Sequence, residues 1–179
     1  MRVVFDTNVY VSALVIPGGA AERAVRMAID GGFELAISRP IRDELLGVLA
    51  RKFARESEEL ARTAIFVASL AERVTPTGRI QVLPEDADNR ILECASAASA
   101  DVVVTGNQEI LSLKTWQGIE ILSLRQFLER LGREAMQSRA VYRVPARGDG
   151  QRAADLSIYD LAFLAKLLKR PKAPLNRLV

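Results

Sequence analysis

Histidine is absent from the 179 residues, cysteine and tryptophan occur once each, and aromatic residues make up 6%. Without histidine there is no Ser-His-Asp triad, no histidine general base and none of the common histidine-containing zinc sites. The single thiol, Cys94, excludes an internal disulfide and fits a reducing, cytoplasmic setting. No apolar run approaches the ~18 to 20 residues that span a bilayer, so no membrane association is expected. The opening MRVVFDTN meets an acid after five residues, unlike a signal peptide. What is present is apolar and charged: 49% hydrophobic, 26% charged, with a mean hydropathy of +0.09. That apolar content can offset the entropy of ordering the chain, and the length suits one compact domain with an appendage.

Charge is unevenly spread. The 25 basic and 22 acidic residues leave a formal +3. Residues 1–134 carry 16 basic and 19 acidic side chains, residues 135–179 nine and three. A mildly acidic body thus bears a basic C-terminal segment, which suits either a polyanionic partner or a solvated tail.

Strand and helix signals alternate along the body. Val3-Val4-Phe5 is a short β-prone run ending at Asp6. Residues 20–30 read as a helix stopped by Gly31-Gly32, and Phe33 to Ile37 as a strand. Ser38 can cap the next helix, which has Pro40 in its first turn and apolar positions at Ile41, Leu45, Val48, Leu49 and Phe53. Residues 57–72 predict another helix. A turn-rich stretch, TPTGRIQVLPEDA, leads to a helix over about 88–98. Then follow a strand at Val102 to Val104, a turn at Thr105-Gly106-Asn107, a short helix, a strand at Ile119 to Leu122 and a closing helix over 123–134. Short, continuously apolar strands separated by helices predict an α/β fold whose parallel sheet is buried on both faces. Ligands of such sheets bind beyond the carboxyl ends of the strands, where Asp6 and Thr105 to Asn107 fall.

With histidine missing, acid/base or metal chemistry must rest on carboxylates, which favour hard cations such as magnesium or manganese. Asp6 can project over the sheet edge, or simply cap a helix begun by Thr7 and Asn8. Relative to Ile41, Glu44 lies about 300° and Val48 about 340° round the helix, while Asp43 lies at about 200° and faces solvent. Glu44 is therefore the inward carboxylate, open to a site role or to pairing with Arg51 or Arg55. Asp88 lies about 60° from Ile91 and faces the sheet; Asp86 does not. A negative charge at that helix start is also what an N-cap supplies. Three acids from different elements thus point toward one end of one sheet, and a divalent cation would relieve their repulsion.

The segments VVFDTNVYVSAL (Val3 to Leu14), RPIRDELLGVL (Arg39 to Leu49), PEDADNRILECA (Pro84 to Ala95) and ADVVVTGNQEIL (Ala100 to Leu111), followed by GIEILSLRQFL, resemble the PIN-domain family, specifically its VapC-like bacterial toxins. The resemblance covers about residues 1–134. It implies a Rossmann-like, three-layer α/β/α sandwich with a parallel central sheet, and a Mg2+- or Mn2+-dependent ribonuclease. It carries metal-ligating and catalytic roles onto Asp6, Glu44 and Asp88. The family's fourth acid is the aspartate of a T-G-D turn; here that position is Asn107, which can offer only a carbonyl oxygen to a metal. Asp101 lies roughly 13 Å away at the opposite strand end and is a poor replacement. Water activated by the cation would attack phosphorus in line, leaving 5′-phosphate and 3′-hydroxyl ends. Thr7, Asn8 and Thr105 could orient the ligands, or bond only local backbone. Arg39, Arg42, Arg51, Lys52 and Arg55 are candidate phosphate contacts, and Trp116 either stacks on a base or packs. A cognate antitoxin and a homodimer are further implications.

Residues 135–179 lie outside the resemblance: a basic arm over 135–154, then an amphipathic helix over 155–170 with Leu156, Tyr159, Phe163 and Leu167 on one stripe. Two functions stay open: the toxin ribonuclease of a toxin–antitoxin pair, and a catalytically weak PIN module, marked by Asn107, that binds RNA or a protein. An Asp after an apolar strand also begins phosphotransfer domains, but no D-x-D stands at Asp6.

Overall fold

A computed structural model describes residues 1–141, with side chains through residue 135. β1 (Arg2–Phe5) leads through α1 (Thr7–Val15) and α2 (Ala20–Ile29) to β2 (Glu34–Ser38). α3 (Arg39–Phe53) and α4 (Ser57–Leu70) lead to β3 (Ala71–Val74), and α5 (Asp86–Ala97) to β4 (Val102–Val104). α6 (Gln108–Ser112), β5 (Thr115–Trp116), β6 (Ile119–Leu122) and α7 (Leu124–Val141) complete the described chain.

The strands form one sheet in the order β3-β2-β1-β4-β6-β5, parallel except where β5 runs antiparallel to β6. Val3, Val4 and Phe5 of β1 and all three valines of β4 are wholly buried, as continuous apolar runs demand of strands covered on both faces. α1 packs on α2 and α3, α3 on α4, and α2 on α7, while α5 lies against β1, β2 and β4. Right-handed crossovers put the helices that build outward from β1 to β3 on one face and α5, which returns to β4, on the other. The expected α/β/α sandwich is therefore present. The direction of chain progression reverses between β1 and β4, and such a switch point opens a crevice at the carboxyl ends of the strands.

Local chemistry explains the punctuation. Gly31 (φ 77°) ends α2: its N–H donates to the Ala28 carbonyl and that of Gly32 to Met27 (3.0 and 2.8 Å), a closure that a left-handed glycine permits. Glu22, buried on the same helix, accepts from the Gly18 N–H at 2.6 Å and from Arg26. These bonds hold its carboxyl below the ordinary glutamate value, the Gly18 bond contributing most. Its stabilisation is present above the unfolded-state value and fades as pH falls through the lower folded one. Glu22→Ala is expected to cost about 2 kcal/mol at pH 7, because the turn N–H loses its partner. Denaturant melts at pH 7 and below pH 4 check this: the difference from wild type should shrink at the lower pH.

Phe5, Tyr10, Phe33 and Phe127 stack edge-on beneath the sheet, Phe33 and Phe127 at 5.0 Å. The Tyr10 hydroxyl is buried there without a hydrogen-bond partner among the described residues. Tyr10→Phe is expected to raise stability by about 1 kcal/mol, since it removes an unsatisfied polar atom and keeps the ring. A lowered melting temperature in the variant would reveal a partner for that hydroxyl.

The structure departs from the expectation in five places. Residues 71–74 leave the helix expected over 57–72 and form edge strand β3, whose Glu72 and Arg73 are exposed. β5 has two residues and no periodicity to read. α5 starts at Asp86, two residues early, and α7 continues past residue 134 to Val141, into the segment expected as an arm. Ser38 occupies the N-cap position of α3, but its side chain makes no capping bond. The rest of the expected arm, and the helix expected over 155–170, lie outside the described residues.

Candidate active site

β1 and β4 are joined at their carboxyl ends by the Asp6 N–H donating to Val104 O at 3.0 Å, which puts Asp6 over the switch point. Asp6 is both cap and site residue. Its Oδ1 accepts from the Asn8 N–H at the start of α1 (3.4 Å), while Oδ2 accepts from Asn8 Nδ2 (2.7 Å) and the Thr105 hydroxyl (2.5 Å). Thr105 Oγ1 in turn accepts from the Asn107 N–H at 2.9 Å, so the turn after β4 is tied to the acid after β1.

Glu44 reaches the same place from α3. Its Oε2 accepts from the Thr7 hydroxyl at 2.8 Å, and its side chain stands exposed in the crevice. Neither Arg51 nor Arg55 takes it: Arg55 pairs with Glu59. Asp43, the neighbour facing away, is spent on Arg39 and Arg42. Asp88 is in the first turn of α5, half-buried, with Oδ2 accepting from Asn107 Nδ2 at 2.8 Å. Glu85, not Asp88, occupies the cap position.

Asn107 is where the placement differs from the expected carbonyl ligand. Its Oδ1 caps α6, accepting from the Glu109 N–H at 2.8 Å, and its amide hydrogens face Asp88. So disposed, it offers a donor rather than a lone pair toward the acids. Asp101 lies at the other end of the sheet, where Oδ2 accepts from the Arg2 N–H at 2.7 Å.

The electrostatics follow from this crowding. Burial raises the Asp6 carboxyl above its ordinary value; the bonds from Thr105 and Asn8 oppose it and the charge of Glu44 adds to it. Burial also raises Asp88, followed by the charge of Asp6, against the bond from Asn107. Asp6 thus stands electrostatically between the other two. Among the described residues no three acids are close enough to grip an ion as they stand. The donor set is nonetheless all oxygen and net negative, which fits a hard divalent cation, and Glu44, held at Oε2 by Thr7, keeps Oε1 exposed.

Of the two roles the sequence leaves open for Thr7, Asn8 and Thr105, orienting the acids or bonding only local backbone, the structure has each of them donating to one of the three carboxylates. Trp116, half-buried on β5, packs against the core. Arg39 and Arg42 are drawn into a basic cleft beside α3 that no sequence pattern announced.

Fold and site define a class: a doubly wound α/β domain with Asp6 over its switch point, tied to the turn after β4 by Thr105. Residues 2–109 match the family model described as a PIN domain, and the chain belongs to the PIN-domain family, whose members are in general nucleases. A curated relative, the uncharacterized protein MJ1680 of Methanocaldococcus jannaschii, is 24% identical over 118 residues, covering 64% of this chain and 76% of that protein. A chain in the structure of VapBC2 from Rickettsia felis, bound to a DNA fragment from their promoter, shares the fold with a TM-score of 0.51. It is 16% identical, over 69% of this chain and 98% of that one.

Proposed function

We propose that the protein is a Mg2+- or Mn2+-dependent endoribonuclease and the toxin of a toxin–antitoxin pair. The observation that carries this reading is the convergence of Asp6, Glu44 and Asp88 on the β1–β4 switch point, each held by a hydroxyl or amide from a neighbouring element. Membership of the PIN-domain family supports the nuclease part. The VapBC2 likeness motivates the protein partner. A homodimer and a cytoplasmic setting complete the reading, and no helix among the described residues is long and apolar enough to cross a membrane.

Asp6, Glu44 and Asp88 would hold the cation, directly or through water. When bound, it supplies positive charge to the phosphoryl oxygens and makes water more acidic. Asp6, with Oδ2 occupied by Thr105 and Asn8, presents a fixed carboxylate. Glu44 is anchored at Oε2 by Thr7, which leaves Oε1 to orient the attacking water and take its proton. Asn107 holds Asp88 in place through its amide N–H and neutralises none of the site's charge. In-line attack by water leaves 5′-phosphate and 3′-hydroxyl ends.

Incubation of partner-free protein with mixed structured RNAs in Mn2+, with an EDTA control, tests this. Metal-dependent fragments with 5′-phosphates are expected. Cyclic phosphates at the 3′ ends would reject hydrolysis by water, and equal cutting in EDTA would reject metal dependence. The amide of Asn107 facing Asp88 favours a second reading, a non-cleaving PIN module, whose signature is tight RNA or protein binding with no cleavage in any metal.

A further inference from the structure

A cleft of about 790 Å³, which none of the three site acids lines, carries five arginines on its walls: Arg39 and Arg42 of α3, Arg73 at the end of β3, Arg79 in the following loop, and Arg90 of α5. Arg39 and Arg42 are partnered by Asp43, and Arg90 by Asp86 and Glu93. Among the described residues Arg73 and Arg79 have no carboxylate partner, and both are exposed. The loop bearing Arg79 is not loosely attached. Glu93 accepts from the Ile80 N–H, and Asn89 accepts from the N–H groups of Val82 and Leu83, each at 2.9 Å. Both anchors are buried on α5.

The cleft and the acids share two helices. Arg42 and Glu44 are two residues apart on α3, as are Arg90 and Asp88 on α5, a spacing that turns them to opposite sides by about 200°. The acids look toward β1 and β4, and the arginines toward β3. Beyond the arginines the cleft is lined by threonine, proline, glycine, valine and Glu93, whose carboxylate is taken up by Arg90, with no aromatic ring among these lining residues to stack on a base. Free guanidiniums without stacking platforms suit phosphates rather than bases.

We propose that this cleft binds the sugar-phosphate backbone of single-stranded RNA flanking the scissile bond, with Arg73 and Arg79 as its phosphate ligands. The inference rests on the ribonuclease reading for the direction of the strand: RNA engaged at Asp6, Glu44 and Asp88 passes the first turns of α3 and α5 into the cleft. Because contact is to phosphate, binding there is indifferent to sequence and sensitive to salt.

Fluorescence anisotropy of the full chain with a labelled oligouridylate of about twelve nucleotides, in EDTA across a salt series, tests it. Arg73→Gln combined with Arg79→Gln is expected to weaken binding about tenfold and to lower the slope of log affinity against log salt by about 1.4. The thermal melt should be unchanged. Arg23→Gln, exposed on α2 outside the cleft, should do neither. Unchanged affinity and slope in the double variant would overturn the proposal. So would intact RNA binding with lost binding of poly-glutamate, which would assign the cleft to an acidic protein instead. RNA bound through these two arginines but never cut by wild type in Mn2+ would support the cleft and refute the ribonuclease reading, which separates the two failures.

Discussion

Asp6→Asn is expected to slow single-turnover RNA cleavage about a thousandfold while leaving the protein folded. Asn is as good an N-cap as Asp, so α1 keeps its start. The one amide oxygen can take the place of Oδ1 as the cap of the Asn8 N–H, while the bonds from Thr105 and Asn8 Nδ2 to Oδ2 are given up. What is lost is the charge standing between Glu44 and Asp88, and with it the central ligand of the proposed cation site. Loss of about 4 kcal/mol of charge stabilisation in the transition state corresponds to that factor. Removing a buried carboxylate that sits above its ordinary value should also leave the thermal melt in EDTA no lower than that of wild type. Cleavage at the wild-type rate would move the chemistry away from Asp6, or expose a contaminating nuclease.

The second large effect is expected at Asn107. Asn107→Asp keeps an oxygen for the α6 cap but replaces the amide donor facing Asp88 by another carboxylate. In EDTA the variant should lose about 1–3 kcal/mol, because Asp88 loses its bond and gains a like charge. In Mn2+ the loss should reverse, with affinity for the ion at least about tenfold tighter, since a fourth negative ligand is added. Calorimetry and paired melts measure both. An affinity unchanged by the substitution would make Asn107 a helix cap alone and remove it from the site.

Much of this was legible before the fold. Val3 to Phe5 and Val102 to Val104 are too apolar and too short to be anything but strands buried on both faces, and the helices between them force a parallel order. Ile41 and Ile91 mark the buried stripes of α3 and α5, which predicts Glu44 and Asp88 inward and Asp43 and Asp86 outward; Asp88 is half-buried, whereas Glu44 is exposed and reaches Thr7 from the edge of the stripe. The structure pairs Asp43 and Asp86 with arginines.

What was not legible depends on neighbours that sequence does not order. Ala71 to Val74 looks like the end of a helix because its strand character comes from pairing with β2 along a sheet edge. The orientation of Asn107 is decided by where α6 begins, two residues from a glycine turn that fits several starts. The pairing of Thr105 with Asp6 spans 99 residues and exists because β4 lies beside β1. Arg73 and Arg79 become neighbours of Arg39 and Arg42 only once β3 is placed at the edge next to β2.

Mn2+ binding, counted by electron paramagnetic resonance for wild type and Asp6→Asn side by side, tests the metal centre most directly. Wild type is expected to hold about one ion per chain, through oxygen ligands from three carboxylates, and Asp6→Asn to hold none at the same concentration. Equal binding by the two proteins would contradict a cation site built on Asp6, Glu44 and Asp88.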